Sequence, residues 1–362
     1  MDNFYFLLIS FFAFFIIAGL FSFLINGLFL KFSSNLGMRN TEETTIRWAS
    51  TSKPAIGGIS FYIVFLLSIV GYTIFFNQRG DFLNIKFIGI LCSVTLGFLM
   101  GLADDAYNTK PFLKFLVQFL CGIILIYTGT YISIFNSMTL NYLITFVWII
   151  GMMNSINMLD NMDGITTVVS IAVILSALTL IFLFNDVLSI NTIMLIGVLA
   201  ALIGFLYYNW NPSKIYMGDT GSQFLGCFLG IIGIVYFWNP QPSEITSNPS
   251  KQLISALLIF IMPIIDTSTV TIRRLMKKQS PFVGGKDHTT HNLSYLGLTD
   301  RQVAITFLML SLISLTLVVV INKFIENWTN FHFTLFSSYI LVVFTFLFSI
   351  SKKEKHKVNQ DE

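Results

Sequence analysis

Long apolar runs alternate with short polar stretches along the whole chain. A run of about 20 apolar residues is long enough to cross the hydrocarbon core of a bilayer as a helix. We count about eleven such runs, which is typical of a polytopic membrane protein. They lie near residues 4–30, 55–76, 85–103, 112–129, 140–158, 164–184, 190–208, 220–238, 252–272, 303–322 and 333–350.

The composition indicates the same class of protein. Hydrophobic residues make up 55% of the 362 residues and charged residues only 11%, with a mean hydropathy of +0.77. A soluble domain carries roughly a quarter charged residues. We therefore predict an all-α integral membrane protein, with one transmembrane domain over 1–351 and a polar tail over 352–362. Asp2 stands where a secretory signal has a basic leader, so we expect the first run to remain as a span.

The basic residues are distributed unevenly between alternate loops. If the N-terminus lies outside, all but four of the 21 Lys and Arg residues fall on the cytoplasmic side, the exceptions being Arg79, Lys86, Lys251 and Lys323. An excess of basic residues marks the cytoplasmic face of a membrane protein. We therefore predict an outside N-terminus and a cytoplasmic C-terminus. This orientation also places the acidic motifs described next on the cytoplasmic face.

A short polar stretch separates the fifth and sixth runs. If the fifth helix continues into it, Asn154, Asn157 and either Asp160 or Asn161 lie on one face, because they are spaced by three and four residues. Asp160 and Asp163 share that spacing. Unpaired amides and carboxylates are costly at membrane depth and mark a functional site by default. The alternative is a polar loop between two spans.

Acidic residues also stand at two other run ends. Asp104 and Asp105 end the third run, where the negative end of the helix dipole disfavours them unless a cation relieves the charge. Adjacent helical residues point about 100° apart, so we expect the two to have different roles. Asp219, between Gly218 and Gly221, starts the eighth run. It is either an N-cap or a ligand of Mg²⁺, which prefers carboxylates, waters and phosphate oxygens.

Two further features each allow two interpretations. Lys53 precedes Gly57 and Gly58 at the start of the second run, which fits either an anion site at a helix N-terminus or a plain helix start. Asp266 lies inside the ninth run, where it either pairs with a base such as Arg273 or lines the site.

The loop over 273–301 is basic and contains two histidines. Arg273 and Arg274 open it, and Asp287, His288 and His291 follow. Basic residues beside a membrane are often topology signals or lipid contacts. Two histidines without further ligands form a poor zinc site. A basic loop facing an acidic metal site favours a diphosphate substrate instead.

Taken in order, these motifs resemble the polyprenyl-phosphate N-acetylhexosamine-1-phosphate transferases, glycosyltransferase family 4. The matching segments are Asp104-Asp105, Asn154-x-x-Asn157-x-x-Asp160-x-x-Asp163-Gly164, Met217-Gly218-Asp219-x-Gly221-Ser222, and Arg273-Arg274 followed by Ser280-Pro281-Phe282.

The chain also departs from the family pattern at two places. Asn161 stands where the family usually has Gly. In the late His-x-His-His motif, His291 fits the middle histidine, Thr289 and Asn292 replace the others, and His288 is offset.

The resemblance implies transfer of a sugar 1-phosphate from a UDP-N-acetylhexosamine to undecaprenyl phosphate, with release of UMP and use of Mg²⁺ or Mn²⁺. It implies Asp104 and Asp105 as catalytic residues and Asp219 and Asn157 as metal residues. The expected nucleotide-sugar residues are Asp160, Asp163, Asn154, Tyr216 and Lys53. The expected diphosphate or sugar contacts are Arg273, Arg274, Asp287, His288 and His291.

The mechanism expected from this resemblance is in-line attack of the lipid phosphate on the β-phosphate of the UDP-sugar, with a covalent aspartyl-phosphate as the alternative. The late loop favours the UDP-N-acetylglucosamine branch over the phospho-N-acetylmuramoyl-pentapeptide branch. A cation-coupled transporter is the alternative of another class. We expect a bacterial plasma-membrane enzyme with its catalytic site on the cytoplasmic face, in contact with membrane lipids and not nucleic acid; a homodimer stays open.

Overall fold

The computed structural model describes residues 2–32, 53–75, 83–184, 187–239, 248–281 and 285–352. Over these residues the chain forms helices and no strand, which confirms the all-α prediction. The helices are α1 (Asp2–Phe32), α2 (Gly58–Phe75), α3 (Ile85–Tyr107), α4 (Pro111–Tyr127), α5 (Met138–Leu159), α6 (Ile165–Phe184), α7 (Ile190–Asn209), α8 (Gly218–Gly233), α9 (Pro249–Ile259), α10 (Ile261–Met276), α11 (Thr289–Tyr295), α12 (Asp300–Phe324) and α13 (Asn330–Lys352). A π-helical turn, Ile234–Trp238, continues α8.

Most of the predicted spans are single straight helices. Among the described residues, nine helices are long and apolar enough to cross a membrane. The fourth predicted run forms α4, which has 17 residues and is shorter than the others. The ninth run is divided into α9 and α10, which are bent by 81° relative to each other. The chain is thus a multi-pass membrane protein, and its described residues contain nine candidate spans, or ten if the bent pair crosses as one.

The bend in the ninth run has a local cause at Pro263. Proline has no N–H to donate to the carbonyl four residues earlier, and its ring clashes with that carbonyl. The carbonyl four residues before Pro263 belongs to Ile259, where α9 ends, and α10 begins at Ile261. The run over 252–272 is therefore two helices meeting at Phe260.

Helix α8 lies at the centre of the helix bundle. Within its most apolar stretch, 94% of the residues are buried inside the protein, compared with 17% for α1 and for α13. Two glycines allow neighbouring helices to approach its first turn. A Cβ added at Gly58 of α2 would lie 2.1 Å from the Gly221 nitrogen, and one added at Gly101 of α3 would lie 2.2 Å from the Asp219 carbonyl oxygen. The first turn of α8 is thus held between α2 and α3.

The polar helix ends are gathered at one end of the bundle. The last turns of α3 and α5 contact the first turns of α4 and α8 through polar side chains. The loop before α8 contacts the α5–α6 turn and the start of α12. This arrangement brings the predicted acidic motifs together on one face. That this face is cytoplasmic remains a prediction, and of the predicted tail only Lys352 lies within the described residues.

Candidate active site

An ion cluster joins three helices at this end of the bundle. Lys114, in the first turn of α4, places Nζ 2.5 Å from Asp104 Oδ2 and 2.9 Å from Asp219 Oδ2. Thr109 donates to Asp104 Oδ1 from its backbone N–H at 2.8 Å and from its hydroxyl at 2.6 Å. Asp104 is buried, whereas the Asp219 side chain is 29% exposed. Of these two carboxylates, Asp219 is the more accessible to a ligand.

Two amide groups extend the cluster along α5. Asn157 Nδ2 donates to Asp219 Oδ1 at 2.7 Å and to Ser222 Oγ at 2.8 Å. One turn earlier, Asn154 Nδ2 donates to Gln118 Oε1 at 2.8 Å. The spacing predicted for the α5 face therefore holds, and the face is directed at α4 and α8.

Asp105 makes a different set of contacts from Asp104. Its Oδ1 accepts the backbone N–H of Asp219 at 3.0 Å, and its Oδ2 accepts the N–H and the hydroxyl of Thr220 at 2.8 and 2.6 Å. These are N–H groups of the first turn of α8, which lack partners within the helix. Asp105 therefore caps α8 from a neighbouring helix and fixes the backbone of Asp219.

Asp160 follows the last residue of α5 and is close in space to other acids. Burial, together with the negative charges of Asp219, Asp105 and Asp163, raises the pKa of Asp160 to about 8. A carboxyl group with this pKa holds a proton at neutral pH and can donate a hydrogen bond. Groups with strongly shifted pKa values, such as Asp160, are common in active sites.

Asp163 anchors the loop that leads into α8. Its Oδ2 accepts the backbone N–H of Ser213 at 2.9 Å and Asn211 Nδ2 at 3.1 Å, and its Oδ1 accepts the Ser213 hydroxyl at 2.8 Å. Lys53 Nζ lies 3.7 Å from Asp163 Oδ2 and 5.2 Å from the centre of the Tyr216 ring. Three predicted nucleotide-sugar residues, Lys53, Asp163 and Tyr216, are therefore neighbours.

The glycines before α2 do not leave their N–H groups open to an anion. The Gly57 N–H donates to the Tyr216 carbonyl and the Gly58 N–H to the Met217 carbonyl, both at 3.0 Å. The Tyr216 N–H in turn donates to the Pro54 carbonyl at 2.9 Å. The structure thus supports the plain helix start, which here also pairs the segment before α2 with the segment before α8.

The late loop is held by an Arg–Asp ion pair and by a buried contact between an aspartate and a histidine. Arg274 donates from Nε and Nη2 to the two carboxylate oxygens of Asp287, at 2.9 and 2.6 Å, and from Nη1 to the Pro281 carbonyl at 2.8 Å. Asp266 contacts His288 Nδ1 at 2.8 Å and accepts the N–H and hydroxyl of Thr289 at 2.8 and 2.6 Å. The Arg274 guanidinium holds the pKa of Asp287 below its usual range despite partial burial.

Asn161 connects this loop to the acidic cluster. Its Oδ1 accepts the hydroxyl of Thr290 at 2.6 Å, and its Nδ2 donates to the Met158 carbonyl at 2.9 Å. His291 is buried nearby, and its ring lies 5.5 Å from that of His288. Burial, with the charge of His288, lowers the pKa of His291 to about 4, so its ring is neutral at neutral pH.

Comparison with known proteins gives similarities to one group of membrane transferases. The glycosyl transferase family 4 model matches residues 87–237, which contain Asp104, Asn157 and Asp219. A probable undecaprenyl-phosphate N-acetylglucosaminyl 1-phosphate transferase of Bacillus subtilis (strain 168) is 28% identical over 300 residues, covering 80% of this chain and 78% of that protein. Over these residues, the chain is therefore similar to the glycosyl transferases of family 4.

Relatives that are named for two different transfers match this chain. The undecaprenyl-phosphate alpha-N-acetylglucosaminyl 1-phosphate transferase of Escherichia coli (strain K12) is 27% identical over 293 residues, covering 76% of this chain and 75% of that protein. A phospho-N-acetylmuramoyl-pentapeptide-transferase of Streptococcus agalactiae serotype Ia is 30% identical over 218 residues, covering 55% of this chain and 64% of that protein.

The candidate site contains residues that the sequence alone did not single out. Lys114 and Gln118 are one helical turn apart on α4, and they contact Asp219 and Asn154, respectively. Gln118 also donates to Gln223 Oε1 at 3.2 Å. Their spacing of four residues in an otherwise apolar helix was the signal that could have identified them. The structure places Arg273, partly buried, beside Arg274 on α10.

The carboxylates at this end of the bundle are the type of donor that Mg²⁺ prefers. Among the described residues, no three His, Cys, Asp or Glu side chains converge as a complete metal cage. Mg²⁺ is usually bound by one or two carboxylates, with waters and substrate phosphates as the other ligands. Asp219 and Asp104 direct one oxygen each at the same ammonium group, so two carboxylates lie close enough to share one positive charge.

Proposed function

We propose that this protein transfers N-acetylglucosamine 1-phosphate from UDP-N-acetylglucosamine to undecaprenyl phosphate and releases UMP. The observation that carries the proposal is the convergence of Asp104, Lys114, Asn157 and Asp219 at one end of the bundle, within the segment matched by the family. The two relatives named for this reaction also cover about three quarters or more of the chain.

In the proposed reaction, an oxygen of the lipid phosphate attacks the β-phosphorus of the UDP-sugar in line with the departing UMP oxygen. Asp219 would hold Mg²⁺ or Mn²⁺, with Asn157 beside it, and the ion would neutralise charge on the diphosphate. Asp104, held by Thr109 and Lys114, would orient the lipid phosphate or accept its proton. Asp160, protonated at neutral pH, would donate a hydrogen bond to a substrate oxygen.

The UDP moiety is proposed to bind beside the loop before α8. Lys53 Nζ lies 5.2 Å from the centre of the Tyr216 ring, so an ammonium group and an aromatic ring lie side by side there. The carboxylate oxygens of Asp163 are bonded to Asn211 and Ser213, which suits a role in holding this loop.

The late loop is proposed to approach the diphosphate and sugar from the other side. Arg274 and Asp287 bind each other, and Asp266 binds His288 and Thr289, so these residues would shape the loop rather than react. We further propose that this face is cytoplasmic in a bacterial plasma membrane, where a UDP-sugar is available. Contacts with membrane lipids and a homodimer remain predictions.

The pentapeptide transferase reaction is the second candidate, because the relative from Streptococcus agalactiae bears that name. It shares the lipid acceptor and differs in the sugar nucleotide. One assay with several UDP-sugars therefore distinguishes the two.

The deciding experiment uses the purified full chain in detergent with undecaprenyl phosphate, Mg²⁺ and a panel of UDP-sugars, and it measures UMP. We expect UMP release that requires both lipid and metal and is fastest with UDP-N-acetylglucosamine. Asp219→Asn should abolish turnover in protein that still elutes as a folded species. Asp81→Asn, in a loop predicted to face the opposite side, is the matched control and should retain activity. No UMP with any sugar from a folded sample would refute the proposal.

A further inference from the structure

Lys114 is the shared partner of two carboxylates that start from different helices. Its ammonium contacts one oxygen of Asp104 and one oxygen of Asp219, at 2.5 and 2.9 Å. The other oxygen of Asp219 accepts from Asn157, and the other oxygen of Asp104 accepts twice from Thr109. Each carboxylate is thus oriented by an uncharged donor so that its remaining oxygen faces Lys114.

We propose that Lys114 is an internal counter-ion that competes with the divalent cation for the Asp104–Asp219 pair. It would therefore keep the metal affinity of the substrate-free protein low. The inference rests on the proposed function only for the identity of the cation. Before the metal binds, Lys114 would hold the two carboxylates together.

The electrostatic argument follows from the positions of the charges. A divalent ion bound to Asp219 would lie within a few ångströms of the ammonium, where the two cations repel each other strongly. Either the ammonium moves away or the ion binds weakly. Without Lys114, the two carboxylates would be uncompensated, and a divalent ion would relieve their mutual repulsion. When an anionic diphosphate binds, its negative charge offsets the repulsion between the Lys114 ammonium and the divalent ion. Both can then remain near the two carboxylates.

The local structure allows the ammonium of Lys114 to move without disturbing the helix. The Lys114 side chain is 25% exposed, and its flexible stem starts in the first turn of α4, after the extended residue Lys110. A lysine ammonium is a compact charge with rotatable donors, so that it can exchange partners more readily than a bidentate arginine.

The first test compares Mn²⁺ binding to the full chain and to Lys114→Met, measured in detergent by electron paramagnetic resonance without nucleotide. We expect the variant to bind Mn²⁺ at least tenfold more tightly than the unaltered protein. Lys110→Met removes an exposed lysine one turn away and should change the affinity less than twofold. Equal or weaker binding by Lys114→Met would overturn the proposal.

A second measurement needs no variant and covers the case in which Lys114→Met does not fold. The unaltered protein is acetylated with and without Mg²⁺, and the modification of each lysine is read by mass spectrometry. Mg²⁺ should increase the acetylation rate of Lys114 severalfold and leave that of Lys110 unchanged, because the displaced ammonium becomes accessible. An unchanged rate at Lys114 would refute the counter-ion role.

UMP release, measured on the same samples, separates the two proposals. Metal-dependent UMP release with no response at Lys114 refutes the counter-ion and leaves the proposed function standing. A response at Lys114 without UMP release from any sugar nucleotide refutes the proposed function and supports the counter-ion.

Discussion

Asp105 offers the sharpest test of what each acidic residue does. The sequence analysis assigns Asp104 and Asp105 together to catalysis, whereas Asp105 in the structure accepts three hydrogen bonds from the first turn of α8. If this capping is its main role, Asp105→Ala should lower stability and activity together. Activity would fall because the backbone of Asp219 loses one of its anchors.

The expected loss of stability can be estimated from these three contacts. Removal of a helix cap costs about 0.5–2 kcal/mol, and a hydrogen bond to a charged group contributes about 1.5–3 kcal/mol. The contacts share one carboxylate and are not additive, so we expect about 2–4 kcal/mol in total. For a chain of this size that corresponds to a decrease in Tm on the order of 5 °C. Asp105→Asn keeps an acceptor oxygen, so its Tm should lie between the Tm of Asp105→Ala and that of the unaltered protein.

The assay is thermal unfolding of the purified protein in detergent, run in parallel with UMP release. Tyr107→Ala alters an exposed side chain in the same helical turn and should leave Tm unchanged. If Asp105→Ala retains the Tm of the unaltered protein but loses its activity, the capping argument is refuted. Asp105 would then act directly on the substrates.

Three further predictions concern neighbouring features. Arg274→Ala removes both charged hydrogen bonds to the partly exposed Asp287 carboxylate and should cost about 1.5–3 kcal/mol, read as a lower Tm, with partial recovery in the double variant with Asp287→Ala. The folded protein keeps His291 neutral, with a pKa of about 4, whereas the unfolded chain binds a proton there below pH 6.5. The stability that neutral His291 contributes is therefore present above pH 6.5 and is lost as the pH falls towards 4. His291→Asn should flatten this dependence of Tm on pH. Gly101→Ala would place a methyl group 2.2 Å from the Asp219 carbonyl and should reduce turnover more than Gly151→Ala, where the added atom meets nothing within 4 Å.

The sequence was sufficient to predict which helix ends carry the site, but not how they contact each other. Apolar run length located the spans to within a few residues, because the bilayer sets the length of a helix. The three-and-four spacing also predicted that Asn154 and Asn157 share a face. Both signals are local along one helix, so that a single sequence contains them.

The misread features depend on contacts between helices. Lys114 was counted only as a topology signal, because nothing in the sequence indicates that the start of α4 lies between Asp104 and Asp219. Asp104 and Asp105 were expected to have different roles, and their side chains do contact different helices, but the sequence does not indicate which of them caps α8. The break near Phe260 has a different explanation. Pro263 is visible in the sequence, but the run over 252–272 was interpreted as one span although a proline can break a helix.

The two departures from the family pattern meet in the structure. Asn161, in place of the usual glycine, brings an amide oxygen that accepts from Thr290 in the late loop. Thr289, in place of the first histidine, uses its hydroxyl and N–H to bind Asp266, whose other oxygen contacts the offset His288. The loop is thus tied to the α5–α6 turn by Thr290, and to α10 by Thr289, His288 and the Arg274–Asp287 pair. Because these contacts adjoin Asp160, the substitutions change how the late loop is held while they leave the carboxylates around Asp219 in place.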